Sequence, residues 1–217
     1  MSYFKSRLHF WEEVANSLTH GVGLIASIIA MVTLIIIANG EQNTTKILVG
    51  TVYGSSLILC YLASTLYHSF QQPTLKHYLK IFDHAAIYIL IAGSYTPFTL
   101  FVIKGEWGQW MLTAIWALAI MGVVFKLFFV KKFKVFSTIL YLAMGWMALL
   151  AIQPLFENLP FEGLVLLVAG GLSYSVGVIF FVWEKLPFSH AIWHLFVMGG
   201  SVCHFFAILL YVLPERC

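Results

Sequence analysis

Long apolar stretches separated by short polar breaks dominate the chain. Seven stand out, at 17–38, 46–69, 81–103, 107–130, 135–154, 163–183 and 190–212. Each meets the roughly 20 residues a helix needs to cross the hydrocarbon of a bilayer. None shows the ten-residue alternation of an outer-membrane barrel strand. The breaks carry turn or charge signals: Asn39-Gly40-Glu41, Gln71-Gln72-Pro73, Lys104-Gly105-Glu106, the Lys131–Lys134 cluster, Glu157–Pro160 and Glu184–Pro187. The fifth run is the shortest, clipped by Gln153-Pro154. The pattern predicts an all-α integral membrane protein, a single seven-transmembrane-helix bundle over 1–217.

Composition narrows this further. Apolar residues make up 61% of the 217 and charged residues 10%, with a mean hydropathy of +0.91. A soluble domain of this length is about a quarter charged and has too little interior for so much apolar surface, and a disordered chain is far more polar. Three cysteines do not make a disulfide scaffold, and a net charge of +3 gives no argument for nucleic acid. The first sixteen residues hold Lys5, Arg7, Glu12 and Glu13 without an apolar core or a cleavage pattern, so the first helix is expected to be an uncleaved anchor.

Lysine and arginine set the orientation. Lys5, Arg7, Lys76, Lys80, Lys126, Lys131, Lys132, Lys134 and Lys185 fall on one side; Lys46, Lys104 and Arg216 fall on the other. This bias predicts the N-terminus inside and, after seven crossings, Cys217 outside.

Ionisable or strongly hydrogen-bonding residues within membrane helices are costly unless partnered, which makes them functional candidates. Here they gather at one leaflet. The first helix opens with Glu13, Asn16 and His20, whose offsets of three, four and seven share a helix face. The second ends with Ser64 and His68, the third begins with Asp83 and His84, and the seventh begins with His190 and His194. Histidines four apart on a helix can reach one ion. With His68 at matching depth, three neutral imidazoles suit zinc and leave a fourth position for water, as in catalytic sites. Asp83 is then the natural acceptor and base beside that water. The competing reading is that these groups only bridge helices by hydrogen bonds. Glu13, Asn16 and Ser64 are expected to orient the ligands or tie the first helix to the second; His20 either orients a ligand or packs. His84, about 100° round the helix from Asp83, is expected to point elsewhere, and His77 to lie in a solvated loop. His204, ten residues and about 15 Å beyond His194, is too deep to share the ion and is expected to bridge helices. Gly170-Gly171 and Gly199-Gly200 are expected to let backbones approach closely, and Gly93 and Pro97 to loosen the third helix.

Three motifs in order, Glu13-x-x-Asn16-x-x-x-His20, Ser64-x-x-x-His68 followed by Asp83, and His190-x-x-x-His194, give the chain a resemblance over essentially its whole length. It resembles the hemolysin III family, the bacterial branch of the progestin and adipoQ receptor superfamily. The resemblance implies a seven-helix bundle in the plasma (bacterial inner) membrane, with zinc held by His68, His190 and His194 toward the cytoplasm and Asp83 at the metal's water. Members of the superfamily are regarded as hydrolases of lipid amides such as ceramide, whereas bacterial members are linked to haemolysis and to membrane fluidity and lipid homeostasis. The expected function is metal-dependent hydrolysis of a membrane lipid amide or ester at the inner leaflet. The alternatives are a non-enzymatic sensor of membrane fluidity with structural zinc, and, ranked lower, a pore-forming or membrane-perturbing haemolysin. A membrane lipid is the expected substrate or ligand; nothing points to a nucleic acid, and no protein partner is legible.

Overall fold

Hydrocarbon offers the backbone no hydrogen bonds, so an apolar run inserted there satisfies its own amides as helix. In the computed structural model, which describes residues 2–183 and 185–214 with side chains from residue 7, all seven runs are helical. The Lys5 side chain, Glu184, Arg216 and Cys217, used above for topology, lie outside the described residues.

The helices are α1 (Ser2–Gly40), α2 (Thr44–Ser69), α3 (Pro73–Phe98), α4 (Gly105–Phe129), α5 (Lys134–Gly145), α6 (Ile152–Asn158), α7 (Phe161–Val182) and α8 (Ser189–Ala207). Wider π-type turns, Thr99–Ile103 and Ile208–Val212, extend α3 and α8, and a tighter 3-10 stretch, Trp146–Ala151, joins α5 to α6. No strand occurs among the described residues. Counting α5 and α6 as one span, seven segments among the described residues are long and apolar enough to cross a membrane. They run up and down: α1 packs on α2 and α8, α2 on α3, α3 on α4, and α7 on α8. Leu18, Val22, Ile25, Ile29 and Ile36 lie exposed along α1 at helical spacing. Such a stripe suits lipid contact.

Two helices overrun their apolar runs. Segment 2–16 contains neither glycine nor proline, so α1 continues back to Ser2 although its hydropathy falls. Similarly, α3 starts at Pro73 rather than 81: proline is at home in a first turn, and the Gln72 side chain caps the helix by accepting from Leu75 N at 2.9 Å. Lys76, His77 and Lys80 therefore stand on helix, and His77 is not in a loop as its position suggested.

The fifth span is interrupted, because Pro154 has no N–H and its ring conflicts with the carbonyl four residues earlier. The break is completed from α3. Tyr95 Oη donates to Gly145 O at 2.8 Å and accepts from Ala148 N at 2.8 Å, so one hydroxyl serves both freed backbone groups.

The paired glycines act through α7 and α8. A Cβ at Gly170 would meet His204 Cδ2 at 2.3 Å, and one at Gly200 would meet Tyr174 Cε2 and Cζ at 2.7 Å, so each glycine seats the other helix's ring. Gly171 is roomier, its added Cβ only 3.8 Å from Trp146. Gly200→Ala is expected to cost about 1–3 kcal/mol by overpacking and Gly171→Ala to be near neutral, as thermal unfolding in detergent would read out.

Candidate metal centre

The C-terminal turn of α2 and the N-terminal turns of α3 and α8 meet at one end of the bundle. α2 delivers Ser64 and His68, α3 delivers Asp83, and α8 delivers His190 and His194. The start of α8 is held by α1: Phe188, in the left-handed conformation at φ 58°, donates its N–H to Glu12 Oε1 at 3.1 Å. One nitrogen from each of His68, His190 and His194 lies within 4.8 Å of the others. Nitrogens about 2.05 Å from a tetrahedral zinc would stand roughly 3.3 Å apart, a difference that small side-chain rotations close.

Hydrogen bonding decides which nitrogens are free. His194 Nδ1 is 3.2 Å from Asn16 O, and a carbonyl can only accept, so Nδ1 carries the proton. The same N–H reaches Thr19 Oγ1 at 3.1 Å, whose own hydroxyl proton is turned to Ala15 O and Asn16 O, both 2.9 Å away. His194 Nε2 is thereby left with its lone pair. His68 repeats the arrangement: Nδ1 donates to Glu13 Oε2 at 3.3 Å, while the buried Nε2 has no partner in the protein. A histidine whose outer N–H is fixed by an oxygen is how proteins prepare a metal ligand. Glu13 Oε2 also accepts from Lys76 Nζ at 2.7 Å and weakly from Gln71 Nε2 at 3.4 Å. The donor set therefore fits a divalent ion that prefers nitrogen.

The other expected residues fall around this trio. His20 stacks on His194 with ring centroids 3.5 Å apart, and both its nitrogens are buried without partners. Asn16 serves through its main-chain carbonyl, while its side-chain Oδ1 is buried and unpaired. Ser64 lies beside Asp83 without a hydrogen bond of normal geometry. His84 shares a cavity wall with Asp83 rather than pointing away from it. Among the described residues His204 joins no ion-binding group; its Nε2 is 3.3 Å from Leu167 O, linking α8 to α7. Sequence reasoning missed Glu12 and Thr19. The spacing Glu12, Asn16, Thr19, at i, i+4 and i+7, was the available signal, masked by the neighbouring Glu13, Asn16, His20 pattern on the same turns.

Beneath the trio lies a cavity. His190, His194, His20, Ser64 and Asp83 line its upper part, and Ile91, Leu142, Val178 and Val197 are among its apolar walls. His68, turned toward Glu13, does not line it. A second cavity, reaching Ile103, Leu155 and Leu164, begins where the first ends and shares Ser94, Tyr95, Gly145, Trp146, Gly171 and His204 with it.

This arrangement has relatives. Residues 8–205 match the family described as haemolysin-III related. The chain belongs to the haemolysin-III family. This haemolysin-III protein is 54% identical over 203 residues to Hemolysin-3 of Bacillus cereus, covering 94% of this chain and 93% of that one. It is 50% identical over 200 residues to the Hemolysin-3 homolog of Bacillus subtilis (strain 168), covering 92% and 94%. The human Monocyte to macrophage differentiation factor is 30% identical over 208 residues, covering 93% of this chain and 85% of its own. The segment matched to the haemolysin-III family contains every residue of the trio and its supports, from Glu12 to His204.

Proposed function

We propose that this protein is a zinc-dependent hydrolase of a membrane lipid amide or ester, acting at the inner leaflet and serving membrane lipid homeostasis. One observation carries the reading: His190, His194, Ser64 and Asp83 open into a single cavity whose remaining walls are largely apolar. His68, His190 and His194 would hold the ion. When bound, zinc supplies Lewis acidity toward a carbonyl and lowers the pKa of water to about 7.

The chain's own groups account for the rest. Glu13, Asn16 O and Thr19 hold two imidazoles in the tautomer that leaves Nε2 free. Asp83 accepts the proton of the attacking water and returns it to the leaving amine or alkoxide as the acyl C–N or C–O bond breaks. Ser64 Oγ, buried beside Asp83 and without a partner in the protein, is the hydroxyl available to donate to the carboxylate when substrate is bound. The apolar walls below seat the acyl chain and exclude bulk water. The gathering of Lys76, Lys80, Lys126, Lys131, Lys132, Lys134 and Lys185 on one side supports a cytoplasmic position for this end of the bundle by the positive-inside rule.

Detergent-purified protein is expected to contain about one zinc per chain, and His190→Ala to lose it, since a three-ligand site does not survive on two. Incubation with N-acyl and ester lipids is expected to release free fatty acid, detected by mass spectrometry. Metal-free wild type, or metal-loaded protein inert toward every lipid class of cells that express it, overturns the proposal.

A second reading has its own support: His68 and His194 are both hydrogen-bonded to α1, so an ion would clasp α1, α2 and α8 together. In that case zinc is structural, the protein reports membrane state, and Asp83 contributes nothing.

A further inference from the structure

Where the two cavities join, one buried polar atom has no partner. His204 is only 9% exposed and lines both cavities. Its Nε2 faces Leu167 O at 3.3 Å, so that nitrogen bears the proton, and Nδ1 is left as a bare acceptor with no partner in the protein. The ring is held in this pose. Gly170 leaves it room where any Cβ would stand 2.3 Å from Cδ2, and Tyr174 packs edge-on at 5.5 Å between ring centroids.

The neighbouring polar groups on this stretch each make at least one hydrogen bond within the protein. Ser94 Oγ donates to Ile91 O at 2.8 Å, Ser175 Oγ donates to Gly171 O at 2.8 Å and accepts from Trp146 Nε1 at 3.0 Å, and Tyr95 Oη bridges Gly145 and Ala148. His204 Nδ1 is thus the side-chain polar atom on this shared stretch that makes no hydrogen bond at all, in a ring that lines both cavities, and an acceptor left bare in such surroundings is costly.

Resting on the lipid-binding reading above, we infer that His204 is a specificity residue that accepts a hydrogen bond from a hydroxyl carried part-way along the ligand's aliphatic chain. His204 lies ten residues beyond His194 on the same helix, about 15 Å, the reach of about a dozen extended chain carbons. The ligand class is a long-chain acyl lipid bearing a mid-chain hydroxyl, with its carbonyl at the histidine trio. The chain beyond the hydroxyl runs into the second cavity among Ile103, Leu155 and Leu164.

The test is displacement of a fluorescent fatty acid from detergent-purified full-length protein by octadecanoate, 12-hydroxyoctadecanoate and 2-hydroxyoctadecanoate. Wild type is expected to bind the 12-hydroxy chain roughly five- to tenfold tighter than the plain chain, the worth of one buried hydrogen bond. The 2-hydroxy chain, whose oxygen stays near the carboxylate, should gain no affinity from His204. His204→Phe should erase the 12-hydroxy preference while still binding octadecanoate. Gly170→Ala, which displaces the ring without removing it, should weaken the preference too, with thermal melts confirming that both variants fold. Equal affinity for the plain and 12-hydroxy chains, as when a water satisfies Nδ1, overturns the inference, and so does a preference that persists in His204→Phe. If no chain binds wild type, the lipid reading itself fails, an outcome distinct from equal binding of all three.

Discussion

Asp83→Asn is expected to keep zinc bound at about one ion per chain while lowering lipid hydrolysis by about 10²–10⁴-fold, the usual worth of a positioned general base. The substitution preserves size while removing the negative charge and the capacity to take up a proton. Metal retention is expected because the carboxylate is not among the groups that orient the imidazoles. His68 Nδ1 is served by Glu13, and His194 Nδ1 by Asn16 O and Thr19 Oγ1. Asp83 instead faces the cavity with Ser64 and His190. Elemental analysis and fatty-acid release, measured on one preparation in proteoliposomes, separate the alternatives. Full activity in the variant would eliminate Asp83 as the base and favour the clasp. Loss of zinc would place the carboxylate in the metal's own coordination.

The second large effect contrasts two ligands on α8. His194→Ala and His190→Ala are both expected to release the ion, yet they differ once a chelator has made every protein metal-free. His194 is 1% exposed, is bonded to Asn16 O and Thr19, and is stacked on His20. Its removal deletes the hydrogen bonds and the stacked ring that join α8 to α1 and leaves a cavity in that seam, an expected loss of about 1–3 kcal/mol in the apo protein. His190 is half-buried and makes no hydrogen bond among the described residues, so its loss should leave apo stability within about 1 kcal/mol of wild type. Thermal melts in detergent with EDTA read the gap. Identical apo melts for the two variants would mean that α1 does not hold α8 through His194.

The helices and the meeting of the histidines were legible because lipid makes both signals loud. A span must be apolar throughout, and an imidazole or carboxylate within it stands out against that background, as His68, Asp83, His190 and His194 do. Matching their depths along antiparallel helices was enough to place them at one end. The supports were harder to read. Asn16 acts through its backbone, for which residue type carries no information. Thr19 looks like any hydroxyl that bonds its own helix, and it does that as well. Glu12 reaches a main-chain N–H that only the left-handed turn at Phe188 exposes. The helical starts at Ser2 and Pro73 were hidden for a related reason: hydropathy locates the part of a helix that lipid requires, not the part that backbone propensity adds. His84 misled because an angle of about 100° separates two side chains on a narrow surface but not on the wall of a cavity wide enough to hold both.

The interrupted fifth span couples two distant positions. Where the fifth span changes from α-helix to its 3-10 stretch, the hydroxyl of Tyr95, borne by another helix, inserts between Gly145 O and Ala148 N and serves both. Phenylalanine at 95 would leave an amide and a carbonyl stranded in a medium that offers neither a replacement. The phenol at 95 thus acts as a splint: the bend in one span is held by a side chain that belongs to another.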